Sequence, residues 1–289
     1  MKIKNIIKLL TIGLLSVQMV TAKPTRAVSS AQFTTEILLS IGAAPQMAGT
    51  AYLDDEILPS LKKEYETVPV LSAKYPTKEK FYSVDPDFLT GWKSVINPKN
   101  LGPLEDLEKN GVQVYFMKSL ESNKLEDVFA DILEYGKIFE LNENAIKLVN
   151  NMKEDLNTIQ KKLPKERKKV FLYDSGDSTP FVVAGGGIGN TIVTMAGGDN
   201  IFKNVKGSFA TANWEKVLIE DPEVIVIINY GDVTAEEKIK FLKEKSPIKD
   251  LKAVKDNKFV VIGLSDISAG VRDVETVKKL AKEFYGIER

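Results

Sequence analysis

Short apolar runs alternate with helical-period segments in two stretches of the chain, and one long amphipathic run separates them. Between residues 26 and 117, apolar runs at Arg26–Ser30, Gln46–Thr50, Val68–Leu71, Asp87–Trp92 and Val112–Met117 read as strands. Helical patterns lie between them, the clearest from Thr34 to Ile41, closed by Gly42. Strands separated by helices at this spacing predict a parallel sheet covered on both faces. The middle of the chain differs. From Asn142 to Leu163 there is no Gly or Pro, and Pro164 ends the run. Ala145, Leu148, Val149, Met152, Leu156, Ile159 and Leu163 fall on one stripe of a 3.6-residue helix. With Asn142 as N-cap, the run predicts a helix of about 21 residues and about 31 Å, against ~11–12 residues for most globular helices.

After Pro164 the alternation restarts. Lys169–Asp174, Val224–Asn229 and Phe259–Gly263 read as strands, and Asn190–Ala196, Trp214–Glu220 and Val271–Tyr285 as helices. The predicted fold class is therefore α/β: two lobes, each a parallel-type sheet flanked by helices, joined by one long backbone helix. The lobes fall at residues 23–141 and 165–289, with the linking helix at 142–164.

The two halves also match in detail. Glu79-Lys80-Phe81-Tyr82-Ser83-Val84-Asp85-Pro86-Asp87 in the first corresponds to Glu215-Lys216-Val217-Leu218-Ile219-Glu220-Asp221-Pro222-Glu223 in the second. Glu, Lys, Asp and Pro coincide, and an acid follows each Pro. Both windows read as helix, stop, strand, because Pro ends a helix and pushes the residue before it toward an extended conformation. Together with the long helix, the repeat predicts two lobes related by an approximate two-fold.

Composition narrows the chemistry. Lys2, Lys4 and Lys8, the apolar run Leu9 to Val20 and the small residues ending at Ala22 form a secretory leader, residues 1–22, too short for a membrane span of ~20 residues. Its removal takes three lysines and no acid, leaving 37 basic against 40 acidic residues and a net charge of −3. Such balance points to neither nucleic acid nor a membrane surface. The chain has no cysteine, so a disulfide framework, thiol catalysis and a Cys-anchored lipoprotein are excluded. It has no histidine either, which removes the commonest general base and metal ligand. No resident metal or cofactor is expected.

The candidate site rests on residues near strand ends, where open α/β sheets bind ligands. Phe33, Tyr52, Tyr75, Trp92, Tyr173, Phe181, Phe209 and Tyr230 are aromatic there, and Lys74, Lys93 and Arg272 are basic beside the same loops. Core packing accounts for any single aromatic residue, and solvation for any single base. The set as a whole suits a large, flat or partly apolar ligand better than a free ion. The run Ala184-Gly185-Gly186-Gly187-Ile188-Gly189 lacks the Gly-Lys-Ser/Thr ending of a phosphate loop. It reads instead as a close-packed loop approaching a ligand or a neighbouring backbone.

These features resemble one family over essentially the whole chain after the leader: the solute-binding proteins with a rigid linking helix that serve ABC importers of ferric siderophores, haem and cobalamin. The first half of its signature is Pro24-Thr25-Arg26-Ala27-Val28, Thr35 to Gly42 and Asp85-Pro86-Asp87. The second is Val170 to Tyr173, Pro180-Phe181, Met195 to Phe202, Glu215 with Asp221-Pro222, Ala253 to Asn257 and Gly270-Val271-Arg272. The resemblance implies an exported, periplasmic, monomeric binding protein and not an enzyme. A ferric siderophore is the favoured ligand, with cobalamin or haem as alternatives. The ligand would lie between the lobes, against Phe33, Tyr52, Trp92, Tyr173 and Tyr230. Glu79 and Glu215 match the glutamates that dock onto permease arginines, although acids at helix starts are also favoured by the helix dipole alone. The short strand that members often carry before Arg26 is not legible here. Two-lobed folds also house chelatase-like enzymes, and against that reading stand the leader, the missing His and Cys, and the lack of a nucleotide motif.

Overall fold

The computed structural model of the protein describes residues 22–287, so the predicted leader lies outside the described residues apart from Ala22. The first sheet is wholly parallel. Strands β1 (Ala27–Ser30), β2 (Met47–Ala51), β3 (Val70–Ser72), β4 (Phe88–Gly91) and β5 (Gln113–Val114) lie in the order β3-β2-β1-β4-β5. Helices α1 (Gln32–Ser40), α2 (Lys62–Tyr65), α3 (Lys78–Tyr82) and α4 (Leu104–Lys109) connect consecutive strands. The predicted strand at Val112–Met117 contributes only two residues to the ladder. Beyond it the carboxylate of Asp131 accepts from Lys118 N and Ser119 N, at 3.0 and 2.8 Å, and bends the chain into a helical turn at Lys118–Glu121. Among the described residues no strand precedes β1.

Helix α5 (Leu125–Ile138), which the periodicity reading did not mark, leads into α6 (Asn142–Lys162). The latter has the predicted 21 residues, and Ala145, Val149, Met152, Leu156 and Ile159 are buried along it. Asn142 is its first residue and not its cap; the cap position is Leu141, which makes no side-chain capping bond.

The second sheet contains β6 (Lys168–Ser175), β7 (Phe181–Val183), β8 (Gly198–Asn200), β9 (Phe209–Thr211), β10 (Val224–Asn229) and β11 (Phe259–Gly263), in the order β11-β10-β6-β7-β9 with β8 beside the start of β6. It is mixed: β7 runs antiparallel to both β6 and β9, while β8, β10 and β11 keep the parallel sense. Helices α7 (Ile188–Met195), α8 (Trp214–Glu220), α9 (Ala235–Glu244), α10 (Lys252–Lys255) and α11 (Arg272–Tyr285) complete the chain.

Strand parity distributes the core. Val170 and Leu172 of β6, Val224, Val226 and Ile228 of β10, and Ala27 and Phe88 of the first sheet belong to one apolar cluster that also takes in α1, α5, α6 and α11. That cluster crosses the junction between the lobes. The alternate residues face outward into separate clusters, Phe171, Tyr173, Ile225 and Ile227 in one and Val28 and Leu89 in the other. Because both faces are covered, residues 170–173 of β6 and 224–228 of β10 are apolar without alternation, as buried parallel strands should be.

Candidate functional site

The strands of the first sheet deliver their aromatic residues to one edge. Phe33 follows β1, Tyr52 follows β2, Tyr75 follows β3, and Trp92 and Lys93 follow β4. Phe33 and Trp92 meet edge to face at 4.7 Å. Tyr52, held at a φ of 59°, packs on Tyr75 at 4.6 Å, and Tyr75 O–H pairs with Ser94 Oγ at 2.6 Å. Lys74 Nζ lies 4.5 Å over the Tyr52 ring. Beside them burial pushes the Asp54 carboxyl up, while Lys74 pulls it back. Lys93 is exposed and paired with Glu121.

A cavity of about 210 Å³ opens between this edge and the second lobe. The first lobe supplies Trp92 and the turn at Ser119–Ser122, and the second supplies Gly187 to Gly189, Ser208, Phe209 and the segment after β11. Phe181 is exposed and stacks on Phe209 at 5.7 Å, so it borders the wall without lining it. The glycine run threads along the facing chain: Ala184 N, Gly185 N and Gly186 N donate to Ser208 O, Val205 O and Gly207 O at 2.8–2.9 Å. A Cβ at Gly185 would stand 1.7 Å from Lys203 O, so only glycine fits there. The predicted close-packed loop thus approaches a neighbouring backbone and fixes the wall that carries Phe209.

Several predicted contacts lie elsewhere. Tyr173 is buried in the outer cluster beside Phe171 and Trp214, and its hydroxyl donates to Gly176 O at 3.2 Å. Its parity in β6 turns it away from the cleft. Tyr230 follows β10 and is exposed, but it does not line the cavity. Arg272 is buried and engaged between lobes. Its Nε and Nη2 donate to the buried Glu36 carboxylate at 2.8 and 2.6 Å, Nη2 also to Glu56 O at 2.6 Å, and Nη1 reaches Asp266 at 3.2 Å. A guanidinium so occupied has no fork left for a ligand. Nearby, Ser265 N donates to Asp55 Oδ2 at 2.8 Å, a second tie across the junction. The turn at Ser119–Ser122 and the segment Leu264–Ala269 were missed, since small and aliphatic residues give no chemical signal in a sequence.

The internal repeat is a repeat of structure. Ala27 pairs with Phe88 and Val170 with Val224, so β1 with β4 corresponds to β6 with β10. Thr77 caps α3 by accepting from Lys80 N, and Asn213 caps α8 by accepting from Lys216 N. Glu79 and Glu215 are each the second residue of their helix, exposed, and without an ion pair among the described residues. The helices end alike. Asp85 and Asp221 are left-handed, with φ of 47° and 45°, where the residue before Pro was expected to be extended. In each lobe a base from the adjoining strand satisfies the last carbonyls: Arg26 donates to Val84 O and Asp85 O, and Lys169 to Glu220 O. The acid after Pro then takes strand amides, Asp87 from Thr25 and Arg26 and Glu223 from Lys169. One turn after each glutamate an apolar side chain is exposed, Tyr82 on α3 and Leu218 on α8, with Ile219 beside the latter.

A second hollow of about 270 Å³ opens at the amino ends of β6 and β10, and on its lining Lys168 pairs with Glu223 and Lys252 with Asp256. Among the described residues no group of three or more acidic side chains is placed to hold a metal ion, and no helix is long and apolar enough to cross a membrane.

A family model described as periplasmic binding protein matches residues 28–264. A periplasmic binding protein of Veillonella parvula superposes with a TM-score of 0.87 at 38% identity, over 93% of this chain and 94% of its own. The vitamin B12-binding protein of Vibrio campbellii is 25% identical over 200 residues, 69% of each chain. The periplasmic haem-binding protein HutB of Vibrio cholerae (21% identity, TM-score 0.74, covering 90% of this chain and 99% of its own) shares the fold. So does a protein of an Fe3+-hydroxamate transport system from Saccharomonospora viridis (16%, TM-score 0.74, covering 91% and 94%).

Proposed function

Since this chain belongs to the periplasmic binding protein family, whose members serve ABC importers, we propose that it captures an iron-complex ligand between its lobes and presents it to the permease through Glu79 and Glu215. It is a binding protein and not an enzyme. We take a ferric siderophore-type complex as the favoured ligand, with cobalamin or haem as the alternatives. Relatives carry names for cobalamin, haem and Fe3+-hydroxamate transport. The absence of histidine removes haem's commonest axial ligand and weighs against haem. The protein acts as an exported monomer, divided into lobes 23–141 and 165–289 about the helix 142–164.

The observation that carries this reading is the pair of matched glutamates, one on each lobe of a protein whose cleft is built from both. Each stands on a capped helix start, its carboxylate exposed and without an ion pair among the described residues, while the neighbouring Glu220 and Glu223 are held by lysines. Two equal acidic points suit a partner that presents two equal basic ones. In cells carrying the cognate permease, Glu79→Ala with Glu215→Ala is expected to abolish uptake while ligand affinity in solution stays unchanged. Loss of ligand binding in the double variant, or undiminished uptake, would refute the docking assignment.

A further inference from the structure

The cavity between the lobes carries no ionisable side chain on its lining. Its hydroxyl groups come from Ser119, Ser122, Ser208 and Ser268, and its aromatic surfaces from Trp92 and Phe209. A formal charge placed among such groups gives up its hydration and meets no opposite charge in return. The three bases predicted for the site do not supply one. Lys93 is paired with Glu121, Lys74 lies over Tyr52 beside Asp54, and Arg272 is occupied by Glu36 and Asp266. An anionic complex would therefore find no side-chain cation on the lining to replace its hydration.

One of the four hydroxyls is set apart. Ser122 Oγ is bonded to Asp127 and accepts from Lys124 N, Ser268 Oγ donates to Leu264 O at 3.0 Å, and Ser208 is exposed to solvent. Ser119 is only 2% exposed, it lines the cavity, and its Oγ has no hydrogen-bond partner among the described residues. Its backbone is fixed from behind, because the buried Asp131 carboxylate holds the amides of Ser119 and Lys118. A buried hydroxyl without a partner is unfavourable, and the residue that carries this one lines the cavity. A carbonyl, hydroxamate or amide group on a ligand would complete it.

Resting on the ligand-capture reading above, we propose that the cleft selects a metal complex without net negative charge, amide- or hydroxamate-bearing, and that Ser119 Oγ is its anchoring hydrogen bond. Anionic complexes of similar size are excluded by the same cavity.

The test uses four probes on the purified protein: a ferric trihydroxamate and cyanocobalamin, which carry no net negative charge, and a trianionic ferric tricatecholate and haem, whose propionates are anionic. Binding is read by thermal shift and by quenching of Trp92. The other of the two tryptophans, Trp214, is buried in the outer cluster, so Trp92→Phe removes the signal of this cavity alone. At least one of the first two probes is expected to bind with Trp92 quenching, and neither of the anionic pair. Ser119→Ala is expected to weaken that binding by about three- to tenfold. The free variant should melt no lower than the parent, because the hydroxyl removed has no partner to lose. Quenching of Trp92 by the anionic probes, at equal or higher affinity, overturns the charge selection and leaves ligand capture standing. Unchanged affinity in Ser119→Ala overturns the anchor. Silence from all four probes overturns the capture reading along with this one.

Discussion

Asp273 lies wholly buried one residue into α11, with Oδ2 accepting from Gly270 N at 3.1 Å and Oδ1 finding no partner. Burial pushes its pKa well above the ordinary 3.8, and the Gly270 bond offsets this only in part. The unfolded chain therefore loses this proton near pH 3.8 while the folded protein keeps it. The carboxyl is neutral in its effect below that pH, and stability falls as pH rises toward the raised folded value. Asp273→Asn should therefore raise the melting temperature at pH 7. The advantage should shrink as the pH approaches 4, and calorimetry across that range checks it. A variant less stable than the parent at pH 7 would mean that the charged form is accommodated. The neighbouring Arg272 shows what a sequence hides at this scale. Beside a cleft loop it reads as a ligand fork, but its partner Glu36 is 236 positions away, and such a distance gives no local sign. Tyr173 was illegible for another reason: in Val170-Phe171-Leu172-Tyr173 both strand faces are apolar, so no alternation tells the cleft side from the outer side.

At the scale of elements, the legible parts are those with a long period or a hard stop. The 21-residue α6 follows from its stripe, and the ends of α3 and α8 from Asp-Pro. Short edge strands are different. β7 and β9 have three residues each, held by pairing with distant chain and not by pattern, and their antiparallel sense escaped a reading built on βαβ spacing. The wall they form depends on the glycine run beside it. Gly185→Ala would drive a methyl into Lys203 O, and because backbone stands on both sides, the 203–208 segment would have to move. A loss of about 3 kcal/mol or more in urea unfolding is expected, in the range of overpacked or strained sites. The same variant should lower ligand affinity, because Phe209 moves with the segment. A melting temperature equal to the parent's would show that this close approach is softer than the backbone geometry implies.

Across the whole molecule, the lobes share one apolar cluster and are tied by the Glu36–Arg272–Asp266 network. Removing one member of such a network strands a charge. Arg272→Met alone is expected to lose about 3–5 kcal/mol. Adding Glu36→Gln, which neutralises the stranded acid and keeps an acceptor for Leu58 N, should recover part of the loss. Denaturant titrations of both singles and the double give the coupling directly, and strict additivity would mean that the two side chains do not act as a pair. The duplicated helix ends have a consequence of a different kind. A partner with true two-fold symmetry offers two equivalent seatings, related by a half turn, to a molecule whose two contact points are alike. That degeneracy favours association by a statistical factor of about two, roughly 0.4 kcal/mol. No difference between the lobes can break it, not even Tyr82 on one side against Leu218 and Ile219 on the other, because a half turn of the partner carries each seating onto the other.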